Sequence, residues 1–482
     1  MKDISGNIKK VMIVFFACFI GLCLYITYFE IVKAPVLAAS SYNKRLWAVR
    51  NKILRGTIYD RNMRVLTKSK KINIESQKIE YVDGALFAHV LGYADIKYGI
   101  TGLQYKYDKE LTSTNLKDKI TSTFNKIIKK SGSNSADDTK IGNGIKTTLD
   151  YNTQKTASDM LGDRKGAAVA INPKTGEVIA LVSKPSFNPN NLEEEWSNIN
   201  SNKDKPLINR ATAGLYPPGS TFKTITAVSA LSNISNIQYR TFKDRGKLVF
   251  NSKESLSNFN GEVLGNLTFK NAYVHSSNVA FGTIGMELGN DKLKETAEKF
   301  YFNKDIPANG ITIENSRFPS LKKYETGNIA QSAIGQGAVL ATPMEMALVA
   351  SAVANDGIMM KPTLVKEVVN SKGETVREIK PEELGRVTTP EIAETMQKFM
   401  KSVVAEGTGS GAQISGIEVC GKTGTAEHAG AGKGTQPHSW FIAFAPYNDP
   451  KVAVAVIVED GGQGGSAAAS VAREIIRTAL KK

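Results

Sequence analysis

The chain has 482 residues, enough for two or three domains and a sizeable core. Hydrophobic residues at 41% and charged residues at 22% exclude an extended disordered or collagen-like chain, and three cysteines are too few for a disulfide framework. The formal charge of +16 suits nucleic acid, an anionic membrane surface or an anionic wall polymer, and does not choose among them.

Residues 11–29 read VMIVFFACFIGLCLYITYF, without a charge or a proline. As a helix this stretch is about 28 Å long, close to the hydrocarbon thickness of a bilayer. Lys2, Lys9 and Lys10 stand before it, so the positive-inside rule keeps that end cytoplasmic and exports everything after Glu30. A cleaved signal peptide with its site at Val36-Leu37-Ala38 is the competing reading. The apolar core is longer than an h-region and ends well before that site, so an uncleaved, single-pass anchor over 1–30 is expected.

Residues 31–145 form a second region, rich in Lys and Tyr. Arg55-Gly56-Thr57-Ile58-Tyr59-Asp60-Arg61-Asn62 reads as a short strand entering a turn. Gly102-Leu103-Gln104 opens a polar helical stretch ending near Leu111. The small polar run around 131–138 marks a loop or linker. From 146 onward the texture changes. Residues 167–171 and 177–182 read as strands joined by the tight turn Asn172-Pro173-Lys174-Thr175-Gly176. Helical patterns follow over 220–231, 272–288 and 343–354, the last with Pro343 in its first turn. Apolar strands over 440–445 and 452–458 precede a final helix over 466–480. The order of elements predicts an α+β domain, a largely antiparallel sheet with helices on its faces.

Three segments of this last region carry chemistry. In Pro217-Pro218-Gly219-Ser220-Thr221-Phe222-Lys223 the helix begins at or just after the glycine, because Pro-Pro-Gly cannot be helix interior. Ser220 then sits among free N–H groups at the dipole's positive end. Lys223 lies on the same face, with Cβ atoms about 5–6 Å apart. A lysine neutralised by burial and a second cation can take the serine proton. In Ser276-Ser277-Asn278, Ser276 can relay a proton and Asn278 can hydrogen-bond a substrate amide. In Gly421-Lys422-Thr423-Gly424-Thr425, a strand-like run from Ile417, the cation and hydroxyls suit a peptide that adds as a strand and ends in a carboxylate. The N–H groups of Ser220 and Thr425 would form an oxyanion hole. Alone, the first two motifs have a plainer reading as helix caps. The ordered set S-x-x-K, S-x-N, K-T-G is what carries weight, matching the set known from penicillin-binding proteins and class A β-lactamases.

With these motifs the chain resembles a class B penicillin-binding protein over most of its length. The segment 55–62 resembles the first motif of that family's N-terminal module. Gly102-Leu103-Gln104 resembles its G-L-E motif, with Gln104 where the family has an acid. Ile334-Gly335-Gln336-Gly337, Thr342-Pro343 and His438-Ser439-Trp440-Phe441 resemble its transpeptidase domain. The resemblance implies a pedestal or dimerisation-type domain over 31–145 and a transpeptidase domain over 146–482. It implies Ser220, Lys223 and Ser276 as catalytic residues, and Asn278, Lys422, Thr423, Gly424 and Thr425 as substrate-binding residues. The implied reaction is D,D-transpeptidation of peptidoglycan stem peptides ending in D-Ala-D-Ala, through a serine acyl-enzyme that β-lactams also form. Implied partners are a membrane glycan polymerase and cell-wall complex proteins, with no nucleic acid and no cofactor.

Rival readings are a D,D-carboxypeptidase, a β-lactamase-like hydrolase and a non-enzymatic wall-machinery scaffold. A nucleotide hydrolase also enters, since Gly416-Ile417-Glu418-Val419-Cys420-Gly421-Lys422-Thr423 fits the P-loop pattern letter for letter. Its interior is strand-like and a Gly-rich turn follows where that motif requires a helix. His428 and His438 bracket this turn and could pair across it, close enough to share a zinc ion; no further ligand is evident, and two turn histidines are the plainer expectation.

Overall fold

The computed structural model describes residues 4–34, 47–48, 50–73, 76–114, 140–252, 254–427 and 436–481. At the N-terminus α1 (Ile4–Tyr28) continues through the π-helical turn Phe29–Lys33. The span Gly6–Lys33 is long and apolar enough to cross a membrane, and its most apolar window is 0% buried against protein. A helix apolar on every face and unburied among the described residues fits a membrane span. The alternative cleavage site at Val36-Leu37-Ala38 and the polar run at 131–138 lie outside the described residues.

Beyond the helix, β1 (Ile58–Tyr59) issues from the Arg55 segment, and α2 (Gly84–Leu91) packs against the catalytic region. Arg55 is buried and donates to the Gln104 side chain, the Gln104 carbonyl and, at 2.6 Å, the Asp108 carboxylate. Asp108 also takes Arg50 at 2.6 Å, so it supplies the acid that Gln104 cannot. The strand β2 (Gly144–Thr147) pairs parallel with β1 and antiparallel with Val365–Val369. One sheet thus joins the two regions on either side of residue 145.

The region after residue 145 is built on a five-stranded sheet. After α3 (Tyr151–Leu161) come β3 (Gly166–Ile171) and β4 (Val178–Lys184). Then follow α4 (Lys223–Asn233), β5 (Thr241–Asp244), α5 (Phe269–Val274), α6 (Asn278–Lys299) and α7 (Pro343–Ala354). The strands β6 (Cys420–Ala426), β7 (His438–Ala445) and β8 (Val452–Val458) precede α8 (Ala467–Leu480). The sheet order is β6-β7-β8-β3-β4, antiparallel throughout. Val452, Val454, Val456 and Val458 pack towards α3 and α8, whereas Ala453, Ala455 and Ile457 join the core containing α7. The strand is buried on both faces, which is why its sequence is a continuous apolar run rather than an alternation.

Two expected elements are corrected. The helix expected over 272–288 is two helices, α5 and α6, broken at His275-Ser276-Ser277 where Ser276 takes a left-handed φ of 60°. Ser277 then caps α6 by accepting from Ala280 N–H at 2.9 Å. The strand expected from Ile417 begins at Cys420, because Ile414 and Ile417 bridge around Gly416 first.

Candidate active site

Ser220 stands in a 3-10 turn, Gly219–Phe222, that runs straight into α4. Gly219 has φ 54°, and a Cβ there would lie 2.8 Å from the carbonyl oxygen of Thr425. Only glycine satisfies both the backbone conformation and this approach. Gly424 is its counterpart on β6, where a Cβ would meet Pro218 O at 2.9 Å. The turn is held from two further sides: Trp440 Nε1 donates to Pro217 O at 3.0 Å, and Gly219 N–H donates to Gly335 O at 2.9 Å. Prolines, glycines and close packing thereby press the turn that carries Ser220 against β6, the terminal strand of the sheet.

Lys223, one step into α4, is 0% exposed. Its Nζ donates to Ser276 O and to Asn278 Oδ1, both at 2.7 Å, and lies 3.3 Å from Ser276 Oγ. The break between α5 and α6 is what presents these acceptors. Burial is the main cause that pushes the Lys223 pKa well below the ordinary lysine value; the Lys422 charge adds to it and Asp244 opposes it. A neutral amine has two N–H groups, which the two short contacts use, leaving its lone pair to accept a proton.

Lys422 enters from β6 and is also 0% exposed. Its Nζ donates to Ser276 Oγ at 3.0 Å and to Thr423 O at 3.1 Å. Burial pushes its pKa down to about 7. Ser276 Oγ therefore lies between two lysines, 3.3 Å from Lys223 Nζ and 3.0 Å from Lys422 Nζ. The Thr423 hydroxyl pairs with that of Thr408 at 2.6 Å, and Thr425 Oγ1 accepts from Gly464 N–H at 3.3 Å. The eight residues singled out from the sequence thus lie on three segments that meet here, Gly219 against Thr425 and both Lys223 and Lys422 against Ser276.

The family model of the penicillin-binding protein transpeptidase domain matches residues 166–477. The chain belongs to this family. Among curated relatives, the peptidoglycan D,D-transpeptidase PbpA of Mycolicibacterium smegmatis is 34% identical over 423 residues, spanning 83% of this chain and 84% of the relative. Among solved structures, the ceftriaxone acyl-enzyme complex of penicillin-binding protein A from M. tuberculosis superposes with a TM-score of 0.82 at 29% identity. It covers 90% of this chain and 99% of that one. The D,D-transpeptidase domain of a peptidoglycan glycosyltransferase from Eggerthella lenta gives 0.78 at 34% identity, covering 89% and 99%. The chain is thus a transpeptidase of the penicillin-binding class, as the three motifs led one to expect.

In this transpeptidase the P-loop resemblance has no structural counterpart. Residues 420–426 continue as a strand after the Gly-Lys-Thr, and Lys422 is buried against Ser276 rather than aimed at an anion cradle. His438 lies at the start of β7, where its Nδ1 accepts from Asp460 N–H at 3.1 Å and its ring packs edge-on against Tyr216. His428 lies outside the described residues.

Several residues that shape the site were not singled out for a role. Gln336, with its amide oriented to satisfy both groups, donates to Glu427 O at 3.3 Å and accepts from Glu427 N–H at 3.1 Å, imitating a strand partner just beyond β6. Arg210 Nε and the Tyr216 hydroxyl both donate to Glu459 Oε1, at 2.7 and 2.8 Å, bracing the segment before Pro217. Asp244 and Asn258 lie behind Ser277. Their only sequence signal is the turn-forming Asp244-Arg245-Gly246.

Proposed function

We propose that this chain cross-links peptidoglycan stem peptides ending in D-Ala-D-Ala, with Ser220 as nucleophile and Lys223 as base. Ser220 Oγ attacks the carbonyl carbon of the penultimate D-Ala while its proton passes to the Lys223 lone pair. The N–H groups of Ser220 and Thr425 receive the developing oxyanion. The tetrahedral intermediate collapses by breaking the peptide C–N bond, and Ser276 relays the proton from Lys223 to the departing D-Ala amine. An amine from a second stem then attacks the acyl-enzyme ester, its proton returns through Lys223, and Ser220 leaves as the hydroxyl. Thr423 and Thr425, beside Gly424 and the Lys422 charge, hold the donor's terminal carboxylate, and Asn278 holds its amide. β-Lactams acylate the same Ser220.

The observation that carries this reading is the pair of 2.7 Å contacts at Lys223, which commit two N–H groups of a fully buried amine to neutral acceptors. Such a lysine is suited to exchange a proton rather than to hold a charge. The apolar N-terminal helix supports a membrane anchor over residues 1–30. The lysines before it support an extracytoplasmic catalytic domain over 146–482 on a pedestal over 31–145. That placement would bring the site to lipid-linked wall precursors, with a membrane glycan polymerase and other cell-wall proteins as partners.

Incubating the full chain in detergent with a fluorescent penicillin, beside a Ser220→Ala variant, tests the assignment. Covalent label on the parent and none on the variant is expected. Equal labelling of both would refute Ser220 as nucleophile. Adding a labelled D-amino acid as acceptor to a thioester donor separates cross-linking from carboxypeptidase activity, since only the former yields a labelled peptide.

A further inference from the structure

Asp244 is a buried carboxylate, 1% exposed, that the mechanism above leaves unused. Its Oδ1 accepts from Gly246 N–H at 2.7 Å and from Asn258 Nδ2 at 2.9 Å. Its Oδ2 accepts from the Ser277 hydroxyl at 2.5 Å and from Asn258 Nδ2 at 2.8 Å. Two routes lead from it to the reacting groups. By the first, Ser277 is fixed at the N-terminus of α6, directly after Ser276 and its left-handed backbone. By the second, Asn258 Oδ1 accepts from Asn278 N–H at 2.8 Å and from Val279 N–H at 3.3 Å, while Asn278 Nδ2 donates to Ser257 O at 2.8 Å. Asn278 is thereby held with its Oδ1 turned to Lys223.

A non-glycine residue at positive φ is strained and persists only where its surroundings over-determine it. Ser276 meets that condition because both of its C-terminal neighbours are tied, directly or through Asn258, to one anion. Every bond that meets Asp244 is donated to it, and an amide in its place would set N–H against N–H at Asn258, whose Nδ2 reaches both oxygens.

We propose that Asp244 is a positioning residue for acylation, fixing the Ser276-Ser277-Asn278 turn so that the Ser276 hydroxyl and the Asn278 carbonyl both face Lys223. This rests on Lys223 being the base for Ser220. Asp244 has a second effect on the same amine. Among the described residues it makes no direct contact with a cation, and its charge acts on Lys223 from behind the turn, opposing burial and the Lys422 ammonium. Those are the charged groups facing Lys223: Lys422 from β6 and Asp244 from β5, with the neutral Ser276 and Asn278 between them and the Phe281 ring alongside.

The test is the kinetics of penicillin acylation by the full chain in detergent, for Asp244→Asn, Ser277→Ala and both together. For Asp244→Asn the saturating rate constant should fall about tenfold or more, as misplacing a reacting group does. The half-saturating concentration should stay within about twofold, because the β6 edge is untouched. The acid limb of the rate–pH profile should move to lower pH, since losing the anion makes Lys223 harder to protonate. The double variant should fall less than the product of the two singles, because both break one network. A parental rate with an unmoved acid limb overturns the proposal, as does a loss fully accounted for by the fraction of unfolded protein. If Asp244→Asn does not fold, Ser277→Ala decides: a lower rate constant at unchanged half-saturation supports the proposal and a parental rate overturns it. Labelling of a Ser220→Ala control would instead refute the nucleophile assignment, leaving the two failures distinguishable.

Discussion

Arg55 in the N-terminal region and Lys223 in the catalytic region are both cationic side chains shut away from solvent, at 3% and 0% exposure. They differ in where the balancing carboxylate stands. Arg55 touches Asp108 at 2.6 Å, and Asp108 is shared with Arg50. Among the described residues Lys223 donates to neutral oxygens alone, and Asp244 is kept behind Ser277 and Asn258. Direct contact with an anion fixes a charge and makes it structural. Withdrawing the anion by one layer leaves the burial penalty largely uncompensated, so that the proton becomes exchangeable. Side-chain chemistry sharpens the contrast, because a guanidinium cannot be deprotonated in a protein and an amine can.

Three changes would break or sharpen this contrast. The largest effect is expected from Lys223→Arg, which puts a permanent cation where the proton must leave. Acylation by penicillin should fall about 10³- to 10⁴-fold in a stopped-flow or labelling assay, the scale of a lost general base. A variant that keeps a tenth of the parental rate would show that the amine need not be neutral. Next, Asp108→Asn strips Arg55 and Arg50 of their shared anion. Unfolding of the N-terminal region should become easier by about 3 kcal/mol, measured by denaturant titration, while folded molecules acylate as before. An unchanged midpoint would mean that the Arg55 charge is balanced elsewhere.

The smallest effect is expected at Gln104. Its Oε1 receives Arg55, but its Nε2 is buried without a hydrogen-bond partner among the described residues. Gln104→Glu removes that orphan donor and gives Arg55 a second carboxylate, so stability at neutral pH should rise by about 1 kcal/mol. The new acid, paired with Arg55, would have its folded pKa depressed below the unfolded value. The gain should therefore be present above the unfolded Glu pKa of roughly 4.3 and be lost as pH falls through the folded value. Equal melting temperatures of the two proteins at pH 7 would argue that the glutamine is already accommodated.

The sequence by itself determined the long apolar helix at the N-terminus, the class of the catalytic domain and the letters of its three motifs. Each of these is written in local chemistry: an uncharged apolar run of bilayer length, strands apolar at every position because both faces are covered, and Pro-Pro-Gly-Ser or Lys-Thr-Gly at fixed short spacing. The tertiary structure alone decided how those letters act together. Lys223 meets Ser276 across 53 residues and Lys422 meets it across 146, contacts that exist only once the sheet and helices have closed around them. The left-handed turn at Ser276 and the inward direction of Lys422 have no local signature, and the turn-forming Asp244-Arg245-Gly246 does not say that its anion stands behind Ser277. Each depends on partners brought in from distant segments, and such partners are a property of the folded whole rather than of any stretch of chain.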